Sequence, residues 1–204
     1  MNLSSFKNRI ILFVVGIMIL TLGVALTVKA DLGVGTWDSV NVGLSNRFGL
    51  SVGTFSFIIA IIMTIIAAIL RNGKFNLYTL GTAFVLSSFT DFWLFVVNKL
   101  PLGDSYINRV VYFLLGILIL SMGLAIYLTP NLAPNSLDDC MMAFRNKFNL
   151  SVGMAKLVTD GVGIIFAILV GGPIGIGTIV IILSVAPLVN IFFNRINSVI
   201  IVSN

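Results

Sequence analysis

Seven Asp and twelve Lys and Arg carry all the formal charge of a 204-residue chain. Those that fall inside apolar runs are where chemistry would have to reside. Lys156 and Asp160 stand four residues apart, on one face of a helix, where they can pair. Asp91 lies beside Thr90 among the aromatics Phe89, Phe92 and Trp93. An ionisable side chain at membrane depth is costly and faces the bundle interior or a water-filled path. These three residues are therefore candidates for lining a solute or ion path. Asp91 or Asp160 would carry a proton or cation and Lys156 would hold an anion; a structural ion pair is the plainer alternative.

A second group follows two linkers broken by Gly33 and Gly35 and by Pro130 and Pro134. Trp37 and Asp38 come after the first linker, and Asn135, Ser136, Asp138 and Asp139 come at the end of the second. Such breaks leave backbone groups unpaired, which is tolerable at membrane depth only inside protein or along a cavity. The helices that begin there offer free N–H groups and a dipole to an anionic group. Capping competes with this role, since Asn135 or Ser136 is a natural N-cap and first-turn acids are favoured. The two roles are compatible.

Composition decides the setting. Hydrophobic residues make up 58% of the chain and charged residues 9%, against about 25% charged in soluble globular proteins, and the mean hydropathy is +1.12. A water-facing surface cannot be built from so few charges. There is no His and no Glu, which excludes His-based zinc sites and imidazole relays. One cysteine, Cys140, excludes an internal disulfide or a CxxC redox pair. No phosphate-cradling glycine motif opens a helix. The net charge of +5 reads as loop charge that orients the chain in a bilayer rather than as a nucleic-acid footprint. No cofactor, no metal and no enzymatic activity are expected.

Apolar runs cover residues 10–28, 52–70, 77–97, 110–128, 152–170 and 174–193, each long enough to cross as a helix. Lys7 and Arg9 ahead of the first run resemble a signal-peptide n-region, but the run has a counterpart deep in the chain and is expected to be retained. Sliding the chain by 100 residues aligns its halves without a gap. Arg9, Gly16, Gly23, Asp38, Asn46 and Phe48 meet Arg109, Gly116, Gly123, Asp138, Asn146 and Phe148, and Leu50-Ser51-Val52-Gly53 recurs whole at 150–153. Sixteen positions between 9 and 53 are identical. Beyond residue 70 the register slips by four, and Gly81-Thr82 meets Gly177-Thr178.

Each half reads as a span, an irregular linker, a short amphipathic helix (36–47 or 136–147) and two further spans. The short helices, near 18 Å at about 1.5 Å per residue, are too short to cross. The expected fold is thus an all-α polytopic membrane protein: one membrane domain of six transmembrane helices in two duplicated halves, about 9–97 and 109–193, each with a short non-spanning or re-entrant helix. Three spans per half would invert the second half, the plan of many secondary transporters. With the N-terminus cytoplasmic, seven of eleven loop cations lie inside; letting the short helices cross would give eight of eleven, but their length and polarity oppose it. Gly16 with Gly23 and Gly116 with Gly123 lie two turns apart and permit close helix approach. Cys140 reads as incidental.

At Leu32-Gly33-Val34-Gly35-Thr36-Trp37-Asp38, Gly43-Leu44-Ser45 and Leu50-Ser51-Val52-Gly53-Thr54 the chain resembles the YczE/YyaS/YitT family of bacterial integral membrane proteins. It departs at Thr36, where that family's turn often carries Pro. The resemblance covers nearly the whole chain and implies a multispanning protein of the bacterial inner membrane. The duplicated breaks and short helices, with Lys156, Asp160 and Asp91 in the spans, lead separately to the expectation of a small secondary transporter or permease for a small polar or anionic solute, with alternating access at the repeat interface. Its partners would be the lipid bilayer and the solute, and a homodimer or membrane protein partner is compatible. The alternative is an assembly, regulatory or partner-subunit protein, including an importer's substrate-binding subunit.

Overall fold

The computed structural model describes residues 5–101 and 105–202. Among them are eight α-helices and no strand: α1 Phe6–Ala30, α2 Thr36–Phe48, α3 Val52–Leu70, α4 Tyr78–Asn98, α5 Tyr106–Leu128, α6 Ser136–Phe148, α7 Val152–Val170 and α8 Ile176–Val202. Six of them, all but α2 and α6, are long and apolar enough to cross a membrane. Helices are the form open to such runs, because hydrocarbon offers no partner to an exposed backbone group. The chain is a polytopic helical membrane protein.

Local chemistry sets the boundaries. The Ser51 hydroxyl accepts from the Thr54 N–H at 3.0 Å and the Ser151 hydroxyl from the Met154 N–H at 3.2 Å, so α3 and α7 start with the same cap. Asp31 and Asn131 both take left-handed backbone conformations, at φ 54° and 47°, just beyond α1 and α5. Helices α1 and α5 begin before their apolar runs because Arg9 and Arg109 interrupt hydropathy without interrupting a helix. For the same reason α8 continues past 193 through Asn194 and Arg195.

The helices fall into two units that do not follow the halves of the sequence. The first holds α1, α5, α8 and the second part of α4; the second holds α2, α3, α6, α7 and the first part of α4. In the first unit α1 packs along α5, and α5 also meets α8. A methyl group on Gly16 would overlap the Tyr127 backbone, and one on Gly116 would meet the Thr27 backbone at 3.0 Å. A methyl on Gly23 would overlap the Leu120 backbone, and one on Gly123 the Leu20 backbone. Partner numbers fall as residue numbers rise, so α1 and α5 lie antiparallel, and each of these four contacts has a counterpart shifted by 100 residues. The small-residue pairs allow the backbone approach expected of them.

The ends of this pair are closed in the same reciprocal way. Arg9 donates through Nε and one terminal nitrogen to the Pro130 carbonyl, at 3.1 and 2.7 Å, just past the end of α5. Arg109 pairs with Asp31 at 3.0 Å, just past the end of α1. Cations are favoured at helix C-termini. Between α5 and α8, Ala30, Phe113, Ile117 and Ile181 form an apolar cluster, and the Gly177 N–H donates to the Leu32 carbonyl at 2.8 Å.

In the second unit the halves exchange partners. Helix α2 lies on α7 and α6 lies on α3, while each short helix also touches the span that follows it. Val40, Ile59 and Ala167 form one apolar cluster with Trp37, Leu44, Met63, Leu137 and Val170 against it. Ala67, Cys140 and Ala143 form a second. Cys140 is thus a buried packing residue.

Candidate functional site

Helix α7 brings the charged residues together. Lys156 Nζ stands 2.9 Å from Asp160 Oδ2, one turn apart; the Lys156 side chain is 59% exposed and that of Asp160 18%. Helix α6 packs on α7, and both charges act on Asp138 in its first turn. Asp138 keeps open surface yet is closely surrounded by protein atoms. That crowding strips water from its carboxyl and raises its pKa; Lys156 opposes the shift and Asp160 adds to it. The result is two carboxyls and one ammonium grouped on α6 and α7, at the point where the chain has just left an irregular linker.

Asp139, the next residue, does something else. Its carboxylate receives both terminal nitrogens of Arg71 at 2.8 Å each, and Arg71 also donates to its carbonyl at 2.9 Å. The Asn76 amide donates to the same carboxylate at 3.2 Å. Planar two-point pairing of this kind is the strong form of an ion pair. Asp139 is buried, and the interaction raises the Arg71 pKa further, chiefly through the hydrogen bond. Asp139 therefore fastens the start of α6 to the α3–α4 connection, and its acceptor capacity is taken up within the chain.

Ser136 is also engaged internally. It is fully buried, with its hydroxyl 3.1 Å from that of Thr64 and 3.4 Å from the Thr79 carbonyl. Asn135 occupies the N-cap position of α6 with an extended backbone, φ −67° and ψ 148°, but its side chain makes no capping bond. The Thr82 hydroxyl donates to the Ala133 carbonyl at 3.2 Å, which ties the linker to α4.

On α2, Trp37 lies against α7: a methyl on Gly163 would come within 3.1 Å of its ring. Ser39, the counterpart of Asp139, donates to the Pro173 carbonyl at 3.2 Å. Asp38 is half-buried in the first turn, with no hydrogen bond or ion pair among the described residues. Burial alone pushes its pKa up to about 6. Asp91 falls in the first unit and the α7 pair in the second. In the sequence Arg71 is one of the seven loop cations assigned to the cytoplasmic side. Its sole earlier signal was its place directly after an apolar run, where a guanidinium needs an anion.

A family model described as a family of unknown function, DUF6198, matches residues 7–194. The uncharacterized protein YyaS of Bacillus subtilis is 33% identical over 178 residues, which cover 87% of this chain and 89% of that one. The uncharacterized membrane protein YczE of the same organism is 29% identical over 165 residues, covering 80% and 75%. An uncharacterized protein of Haemophilus influenzae is 27% identical over 176 residues, covering 86% and 79%. No solved structure matches the chain. With the family model spanning nearly every helix, and YyaS and YczE alike over most of their lengths, the chain belongs to the DUF6198 family of YczE/YyaS-like membrane proteins.

Proposed function

We propose that this protein is a small secondary transporter or permease of the bacterial inner membrane, with its N-terminus cytoplasmic, for a small polar or anionic solute. The observation that carries the reading is the grouping of Asp138, Lys156 and Asp160 on α6 and α7. Three ionisable groups in so apolar a chain are expensive, and the standard use of that expense is a path or site for something polar. Lys156, the more exposed partner, offers its ammonium to an anion while Asp160 holds it in place. Asp138, whose pKa is raised by the loss of water around its carboxyl, is suited to giving up or taking a proton as the site is filled.

The scaffold supports the same reading. Antiparallel, reciprocal packing of α1 on α5 is what inverted three-plus-three repeats would produce. The short helices would then be re-entrant or interfacial elements of a midplane site. Since α2 lies on α7 and α6 on α3, the bodies that move in alternating access would be composites of both repeats. A motion of one repeat against the other would strip those helices apart.

The test is a thermal-shift screen of purified protein against amino acids, sugars, nucleosides and organic anions, followed by uptake of any hit into vesicles. A true ligand stabilises the folded state by mass action. The expected result is a hit that Asp160→Asn and Lys156→Met abolish. Binding and uptake intact in the double variant would sink the proposal. Single-cysteine labelling of α2 and α6 on a Cys140→Ser background checks the inversion, which requires labelling from opposite sides of the membrane. A second reading, a partner subunit, is favoured by one observation: α7 and α8 cover far fewer of their side chains within the chain than α1 and α5 do. A stable co-purifying membrane protein, with no solute effect, would select it.

A further inference from the structure

We propose that Asp38 and Asn41 form a binding site on α2 for one small monovalent metal cation. Helix α2 uses its faces for different purposes. Thr36, Ser39 and Gly43 rest on α7 and the turn after it, close to Gly163, Pro173 and Gly172. Trp37, Val40 and Leu44 join the apolar cluster. Asp38 and Asn41, three residues apart, share the remaining face. Asn41 is only 5% exposed, and its Oδ1 has no hydrogen-bond donor. Helical spacing thus puts a carboxylate and an unpartnered amide oxygen on one face of α2, where an unpaired buried acceptor is costly.

Such a pair attracts a positive charge. A buried carboxylate is tolerated when paired, and no side chain among the described residues pairs with Asp38. The charged groups on the elements packed against α2 are Lys156 and Asp160 of α7, which hold each other, and Arg71 at the end of α3, which holds Asp139. Arg47, on α2 itself, points to the Leu169 carbonyl. With Lys156 and Arg71 both engaged elsewhere, the Asp38 carboxylate lacks a counter-charge. One formal negative charge matches a monovalent ion. Calcium and magnesium gather more oxygen and carboxylate ligands, and no cluster of three acidic or thiol ligands occurs among the described residues. Hard oxygen ligands and unit charge together describe an ion of the sodium class.

The duplicated position serves as an internal control. In α6 the counterpart of Asn41 is Met141, which offers no oxygen, and Asp138 already has Lys156 nearby. The inference stands apart from transport, because it is read as cation binding; within the transporter reading this would be the coupling ion.

Trp37 is adjacent and reports on the site. Trp93→Phe protein in nanodiscs of zwitterionic lipid, held at pH 8, would be titrated with sodium chloride replacing choline chloride at constant ionic strength. A saturable change in Trp37 fluorescence and a rise in melting temperature are expected. Asn41→Val should weaken the apparent sodium affinity about tenfold, the loss of one good ligand. Asp38→Asn should abolish the response, and Gly161→Ala, whose added methyl meets nothing within 4 Å, should leave it unchanged. Asn41→Val keeps the side-chain volume close, so it decides the matter even if Asp38→Asn fails to fold. Indistinguishable sodium and choline titrations would overturn the proposal, as would a sodium response that survives both variants. A signal that follows pH alone and not sodium would also overturn it, leaving a proton site.

Discussion

Asp38 and Asp138 occupy the same place in the two halves of the chain, in the first turn of a short helix, and meet opposite surroundings. Asp38 has an amide oxygen three residues on and no charge to answer it. Asp138 has Met141 at that position and a lysine–aspartate pair on the neighbouring helix. The next residues diverge as well. Ser39 donates a neutral hydrogen bond to the Pro173 carbonyl, whereas Asp139 is gripped by Arg71 and Asn76. Duplication supplied two equivalent cradles, and substitution at a few positions then gave them different chemistry. One arm is pinned by an ion pair and sits near charges on α7; the other carries a carboxylate that no described side chain pairs.

The largest effect should come from the pin. Asp139→Ala would leave the Arg71 guanidinium partly buried without its anion, and breaking such a pair costs about 3–5 kcal/mol. Ser39→Ala removes its neutral hydroxyl bond to Pro173, and a neutral hydrogen bond is worth about 1 kcal/mol. Melting temperatures of the two variants in the same detergent should differ clearly, with Asp139→Ala far lower. Equal losses would break the contrast between the arms. The next largest effect belongs to the reciprocal helix pair. Gly23→Ala and Gly123→Ala each push a methyl group into the opposing backbone. Overpacking of this kind costs about 1–3 kcal/mol, and the two variants should lose similar amounts because their contacts are equivalent. Gly161→Ala meets nothing within 4 Å and should be neutral or slightly stabilising, since Ala favours the helix. A large inequality between Gly23 and Gly123 would show that the symmetry is only approximate in energy.

Much of this was legible in the residues, but not the partnerships. The runs 52–70 and 152–170 coincide with α3 and α7 because Ser51 and Ser151 mark their starts chemically. The short helices were visible because Gly and Pro interrupt hydropathy just before them. The duplication survives as aligned polar residues, and the close glycine packing follows from small residues two turns apart. The exchange of α2 onto α7 and α6 onto α3 was not visible, because hydropathy reports burial and not which neighbour provides it. The Asp139–Arg71 grip was hidden for a related reason: its residues lie 68 positions apart and the first half carries Ser39 instead, so the repeat gave no hint. Asp91 stands out in the sequence as an intramembrane charge like those of the α7 pair, and the fold assigns it to the first unit and the pair to the second. Sequence shows that a charge is in an apolar run; it does not show which bundle receives it.

A smaller effect separates the two aspartates by pH. The Asp38 pKa is raised from 3.8 to about 6 in the folded protein. Between those values the folded state holds more protons than the unfolded one, so stability falls as pH rises through about 4 to 6. The penalty is complete above that window and absent below it. In choline buffer the melting temperature should drop over this range, and Asp38→Asn should flatten the profile. Sodium should shrink the drop in wild-type protein by answering the charge. A profile unchanged by Asp38→Asn would remove Asp38 from the account.

The smallest effect tests the other member of the pair. Asp138 is also raised by burial, and Lys156 pulls against that rise. Lys156→Met deletes the opposing charge and leaves Asp160 in place, so the Asp138 carboxyl should titrate higher still. Its frequency in the infrared difference spectrum, assigned by loss in Asp138→Asn, would follow the shift directly. Because Lys156 is well exposed, water and salt screen its charge, and the displacement should be modest and smaller at high ionic strength. A shift insensitive to salt would mean that Lys156 acts on Asp138 through contact rather than across solvent. No displacement at all would detach Asp138 from the α7 pair and leave the two arms alike in having a solitary carboxylate, which would remove the difference on which their separate roles depend.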